Sequence, residues 1–143
     1  MRWIGLITVL LLGIGCAPPP KKTVEVTAPP PVDLSGYGTA VQLDATLEIK
    51  GMGTVWIEGS PFLLTLLETR WDEIETDKGT ERIGRAKVRV WEPKGDEREK
   101  TVTIEKGRTK TALGYRITVS YAYEFYEKSS ARHIPHARLI IGK

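Results

Sequence analysis

Two hydropathy regimes divide the chain. Residues 3–15 form a nearly unbroken apolar run, whereas from residue 37 onward apolar and polar side chains mostly alternate. A period of two marks a strand with one face buried. Val41, Leu43, Ala45, Leu47 and Ile49 interleave with Gln42, Asp44, Thr46, Glu48 and Lys50, which predicts one strand over 41–50. Gly51-Met52-Gly53 predicts a turn, Val55-Trp56-Ile57 a short strand, and Gly59-Ser60-Pro61 a second turn. Residues 62–71 predict a long strand, whose continuous apolar start implies cover on both faces. The acidic, glycine-punctuated stretch 72–84 predicts a loop. Residues 86–91 alternate again, 93–96 predict a turn, and Val102 and Ile104 mark a strand ending at Lys106-Gly107.

The clearest pattern covers 115–125. Tyr115, Ile117, Val119, Tyr121, Tyr123 and Phe125 fall on one face, with Arg116, Thr118, Ser120, Ala122 and Glu124 on the other. Residues 127–135 predict a polar loop and 137–141 a last strand. Nothing after the apolar run has helical periodicity. Seven or eight short strands in about a hundred residues predict an all-β domain, a single β-sandwich with a small barrel as its nearest relative. A candidate internal repeat adds detail: 62–66 and 115–119 each follow a turn, and each is followed about twenty residues later by a returning strand. Two such units, each with one apolar face, would bury those faces together.

The apolar run at 3–15 is too short to span a bilayer, which takes about 20 residues. It fits the core of an export signal, with Arg2 before it and small residues at its end. Gly13-Ile14-Gly15-Cys16 resembles the lipobox of bacterial lipoproteins, a resemblance confined to the first 16 residues. It implies a signal peptide over 1–15 and Cys16 as the first mature residue, carrying diacylglycerol on its sulfur and usually a further acyl chain on its amine. Several buried acyl chains hold a protein stably on a bilayer where one is marginal. Ala17 stands where the resemblance would place Asp in an inner-membrane lipoprotein, so the outer membrane is favoured if the host has one. Residues 16–36 form a linker, with Pro18-Pro19-Pro20 and Pro29-Pro30-Pro31 favouring polyproline II. Fully extended, it would hold the domain at 37–143 on the order of 50 Å from the membrane surface.

Composition removes several classes of chemistry. Cys16 is the only cysteine, so once lipidated it leaves the domain no disulfide and no thiolate chemistry. The formal net charge is +3, but Lys and Arg are interspersed with Asp and Glu, as in Asp96-Glu97-Arg98-Glu99-Lys100. No one-sided basic face of the kind nucleic-acid binding needs is evident. The stretch 55–90 and Gly114-Tyr115-Arg116-Ile117-Thr118-Val119 are similar to small secreted bacterial β-domains of unknown function. Those often carry a cysteine pair where this chain has 72–84, and the resemblance implies no function here.

Candidate chemistry is sparse. His133 and His136 supply two ligands at most, short of the three or four zinc takes. Glu124 would pair with His133 if the 127–135 segment folds back. Asp72, Glu73, Glu75 and Asp77 cluster carboxylates, but an EF-hand would place ligands at Ile74 and Thr76, so a solvated acidic loop is the simpler reading. No nucleophile elbow or phosphate loop is present. The expectation is a lipoprotein with no enzymatic activity, no cofactor and no metal, whose domain binds or assembles with a protein partner in the envelope. An inhibitor or immunity factor against an envelope-acting enzyme, or a small-ligand carrier, are the alternatives. The expected binding residues are Trp71 with Asp72, Glu73, Glu75 and Asp77, and the second segment with His133 and His136. The aromatics Tyr121, Tyr123 and Phe125 belong to the core or to an exposed patch that a protein or glycan partner would use.

Overall fold

The computed structural model describes Gly15 and residues 33–143. Cys16, the expected export signal and most of the expected linker lie outside the described residues. Alternating side chains form nine strands among those residues: β1 (Thr39–Val41), β2 (Thr46–Lys50), β3 (Thr54–Ile57), β4 (Leu63–Thr76), β5 (Gly79–Trp91), β6 (Glu99–Glu105), β7 (Thr109–Ala112), β8 (Tyr115–Glu127) and β9 (Arg132–Gly142). They make a five-stranded sheet, β1-β3-β4-β5-β6, packed on a four-stranded sheet, β2-β9-β8-β7. The protein is an all-β sandwich. All pairings are antiparallel except β1 with β3.

The inner faces carry the alternating apolar sets. Leu64, Leu66, Val88, Val90 and Ile104 from the first sheet meet Ile117, Val119, Leu139 and Ile141 from the second, all at most 1% exposed. Phe62 closes one end edge-on to Tyr115, ring centres 5.8 Å apart. Cover on both faces at the start of β4 is also observed, since Leu63 and Leu64 are both fully buried. On the outer face Trp56, Leu63 and Trp91 stand opposite one another across β3, β4 and β5. A short 3-10 turn, Ser35–Tyr37, brings Tyr37 edge-on to Trp91 at 6.0 Å. Leu34, just before that turn, is fully buried, so the folded unit starts ahead of residue 37.

The structure corrects four expectations. Residues 41–50 are not one strand: Asp44 takes a left-handed φ of 61°, and its N–H donates to the Ile141 carbonyl at 2.8 Å. There the chain crosses from one sheet to the other, and the alternation runs on across the crossing. Residues 72–84 are strand, not loop, because β4 and β5 stay paired down to Thr76 opposite Gly79. Likewise 127–135 is mostly strand, since Arg132 pairs with Glu127 and places both His133 and His136 on β9. These hairpin arms carry charge on both faces because both faces meet water, which erases the period-two signal.

The fourth correction concerns 115–125. Val119 stands opposite Leu139 and Tyr121 opposite Arg138, which leaves Ser120 as an extra residue in a β-bulge. Its hydroxyl donates to the Arg138 carbonyl at 3.1 Å. A bulge reverses the facing of everything beyond it. Tyr115, Ile117 and Val119 therefore point inward, whereas Ala122 takes the next inward place and Tyr121, Tyr123 and Phe125 point out.

A matching bulge at Leu67 interrupts β4, where Leu66 faces Val88 and Glu68 faces Lys87. The two long hairpins thus share a strand, a bulge after four or five residues, a tight turn and a return. Each also has a short strand on its first member, β3 or β7, and another on its second, β6 or β2. The position β6 holds in the first sheet is filled in the second by β2, from the start of the domain.

Candidate functional site

The bulges decide what the arms present. Past Leu67, the face of β4 that continues the core carries Thr69, Trp71, Glu73 and Glu75. Thr69 is 1% exposed and donates its hydroxyl to the Tyr123 carbonyl at 2.8 Å, joining the two sheets. Beside it Gly84 lies against Ala122, so close that a Cβ at residue 84 would overlap the Ala122 carbonyl oxygen. The sheets pinch together here, and beyond this point the arms diverge.

Between them lies a shallow, solvent-open cleft of about 500 Å³, lined by Arg70, Trp71, Glu73, Arg82, Glu124 and His133. One wall holds Trp71, 46% exposed, with the Arg82 guanidinium 5.6 Å above its ring. Arg82 Nε also meets Glu73 Oε1 at 3.0 Å. The other wall pairs His133 Nδ1 with Glu124 Oε2 at 3.4 Å, and Tyr126 lies 5.2 Å from the imidazole. Each wall therefore offers an aromatic ring, a carboxylate and a base. Such a set suits recognition of a polar or charged segment by stacking, hydrogen bonding and charge together.

The expected binding residues do not all converge. Trp71, Glu73 and His133 come together in the cleft, and the pairing of Glu124 with His133 is observed. Asp72 faces the opposite side of β4, where Arg85 Nη1 meets it at 2.7 Å. Glu75 lies nearer the tip and accepts a hydrogen bond from Thr80 at 3.1 Å. Asp77 sits exposed in the turn. Asp72 thus faces away from Glu73 and Glu75, which share the other face, and the four carboxylates do not converge on one point. His136 lies on the outer face of the second sheet, its ring 4.6 Å from that of Tyr123. No group of three or more His, Cys, Asp or Glu among the described residues is placed to hold a metal.

Sequence reasoning missed Arg82 and the role of Tyr126. The signal for Arg82 is its place nine residues from Glu73, the spacing of a hairpin whose charged arms read as a loop. No helix among the described residues is long and apolar enough to cross a membrane. Comparison of the chain with protein-family models, with curated proteins and with solved structures finds no match.

Proposed function

We propose that the protein is a lipid-anchored lipoprotein of the cell envelope, in the outer membrane where the host has one. Its β-sandwich binds a protein partner without catalysis, through the cleft between the two hairpin arms. The observation that carries this reading is the position of Trp71. A half-exposed indole at the foot of a cleft is the type of anchor that dominates protein interfaces. The tether supports the same orientation. It enters the fold beside Trp91, which pairs with Leu63 at the start of β4, while the turn after Thr76 lies at the other end of that strand. Fourteen strand residues span about 45 Å, so the arms work at the end away from the anchor.

Replacing Trp71 by alanine should weaken capture of the partner about thirtyfold or more, in the range that hot-spot truncations reach, about 2 kcal/mol or more. Cross-linking in the native cells followed by identification of the captured protein measures this. Undiminished capture by the variant removes the cleft from the interface. The inhibitor reading has the same arms enter an active site. A tight one-to-one complex with an envelope hydrolase that loses activity on binding would select it.

A further inference from the structure

The arms are ribbons of two strands, so each arm strand has one edge with no neighbouring strand. β3 pairs with β4 only over Leu63, Leu64 and Thr65, and the next backbone bond on that side runs from the Leu66 N–H to the Gly53 carbonyl at 3.0 Å. Past the bulge, the far edge of β4 has no strand beside it among the described residues. Which residues use that edge follows from β5. The Gly84 carbonyl accepts from the Lys106 N–H at 2.9 Å, on the side away from β4. Backbone groups alternate sides along a strand, so Ile83, Glu81 and Gly79 turn theirs toward β4, as their partners Asp72, Ile74 and Thr76 turn theirs toward β5. Trp71, Glu73 and Glu75 therefore direct both N–H and C=O to the open edge, and all three are exposed.

We propose that this edge of β4 takes an extended segment of the protein partner as an added strand, in line with β3. The proposal rests on the reading of the Trp71 cleft as the binding site, and names what docks there. A donor and an acceptor recurring at every second residue, about 6.7 Å apart, match another extended backbone, which repeats both groups at that step. An added strand also puts alternate side chains on the face that Trp71, Glu73 and Glu75 occupy. There Trp71 is the cross-strand neighbour for a large apolar side chain. Glu75 is bonded to the neutral Thr80 hydroxyl and forms no ion pair among the described residues, so its charge favours Lys or Arg opposite it, four residues along from the apolar one.

The other arm edges are less open. On β9, Pro135 has no N–H, and its carbonyl already accepts from the Gly51 N–H at 2.7 Å. On β8, Ala122 is buried against Gly84, and Lys106 stands at that edge with Nζ 5.7 Å from the Tyr121 ring centre. A lysine at an edge deters pairing. On β5 the Gly84 carbonyl is taken by Lys106. The stretch of β4 from Leu67 to Thr76 carries neither lysine nor proline.

Panning a displayed library of random linear dodecapeptides against the full chain tests the proposal, followed by titration and hydrogen exchange with the tightest synthetic dodecapeptide. A saturable complex is expected, with exchange at the Trp71, Glu73 and Glu75 amides slowed at least tenfold. Glu73→Pro removes one outward N–H and keeps the β4–β5 ladder, since proline is tolerated on an open edge. It should weaken the dodecapeptide at least fivefold relative to Glu73→Ala, which removes the side chain alone, with thermal melts of both variants checking the fold. Equal binding by these two variants overturns the added strand, and if Trp71→Ala still abolishes binding, the cleft reading survives that failure. Unslowed exchange at the three amides in the complex overturns it whether or not Glu73→Pro folds, and so does the absence of any saturable dodecapeptide. Binding that Glu73→Pro weakens and Trp71→Ala leaves intact supports the added strand and removes the indole as its anchor.

Discussion

At the residue scale the sandwich depends on a few contacts where the sheets touch. Gly84 is one, since any side chain there strikes the Ala122 backbone. Gly84→Ala should destabilise the domain by about 1–3 kcal/mol, the usual cost of forcing atoms into a packed site. Gly36→Ala, whose Cβ would meet nothing within 4 Å, should stay within about 0.5 kcal/mol of the parent. Urea denaturation compares the two, and equal midpoints would contradict the pinch. Glu48 offers a test by pH. The Arg138 guanidinium, with Nη2 at 2.6 Å and Nε at 3.2 Å, holds its carboxyl below the usual range. A lowered folded value means stability present above the unfolded value and lost as pH falls through the folded one. Thermal melts should therefore show Glu48→Gln less stable than the parent at neutral pH, with the gap closing as pH drops well below about 4. A gap that persists in acid would contradict the pair. Neither the pinch nor the pair was legible in the sequence, because both join residues far apart in the chain.

At the element scale, legibility followed burial. The strands that line the core, such as 86–91 and 137–141, showed in the alternation because one of their faces is dry. The arms did not, because Glu73, Glu75, Thr80 and Arg82 meet water and are held by cross-strand pairing instead of burial. The bulge at Ser120 was hidden for a different reason. Val119, Ser120 and Tyr121 continue a flawless apolar–polar alternation, so the reversal of facing leaves no break in the pattern. The one trace is Ala122, a small residue suited to the tight approach of Gly84. Deleting Ser120 tests the element directly. It leaves Val119 opposite Leu139 and Tyr121 opposite Arg138 in a regular ladder, so Tyr121, Tyr123 and Phe125 keep facing outward and Ala122 inward. A retained cooperative melt is expected. Loss of that melt, the outcome if Ser120 were an ordinary paired residue whose removal flips everything beyond it, would contradict the bulged pairing.

At the scale of the whole molecule, two bulged hairpins stack by their apolar halves and separate by their polar halves. The shared layout was partly visible as a repeat, although the sequence showed the returning strands without the arms. The same layout sets Tyr37, where the proposed tether would join the fold, and the arm tips at opposite ends of β4. For the proposed anchor, Cys16→Ser should move the protein from the membrane fraction to the soluble fraction. A variant as membrane-bound as the parent would show that acylation does not hold it.

Whether the arms are the working end is decided by photo-cross-linking from single positions in living cells. A photoreactive side chain placed at Trp71, at Arg82 or at His133 is predicted to capture one and the same partner, and one placed at Tyr37 or Lys94, near the tether root, to capture none. Capture from the root positions with silence from the arms would contradict the proposed orientation and the binding role of the cleft together.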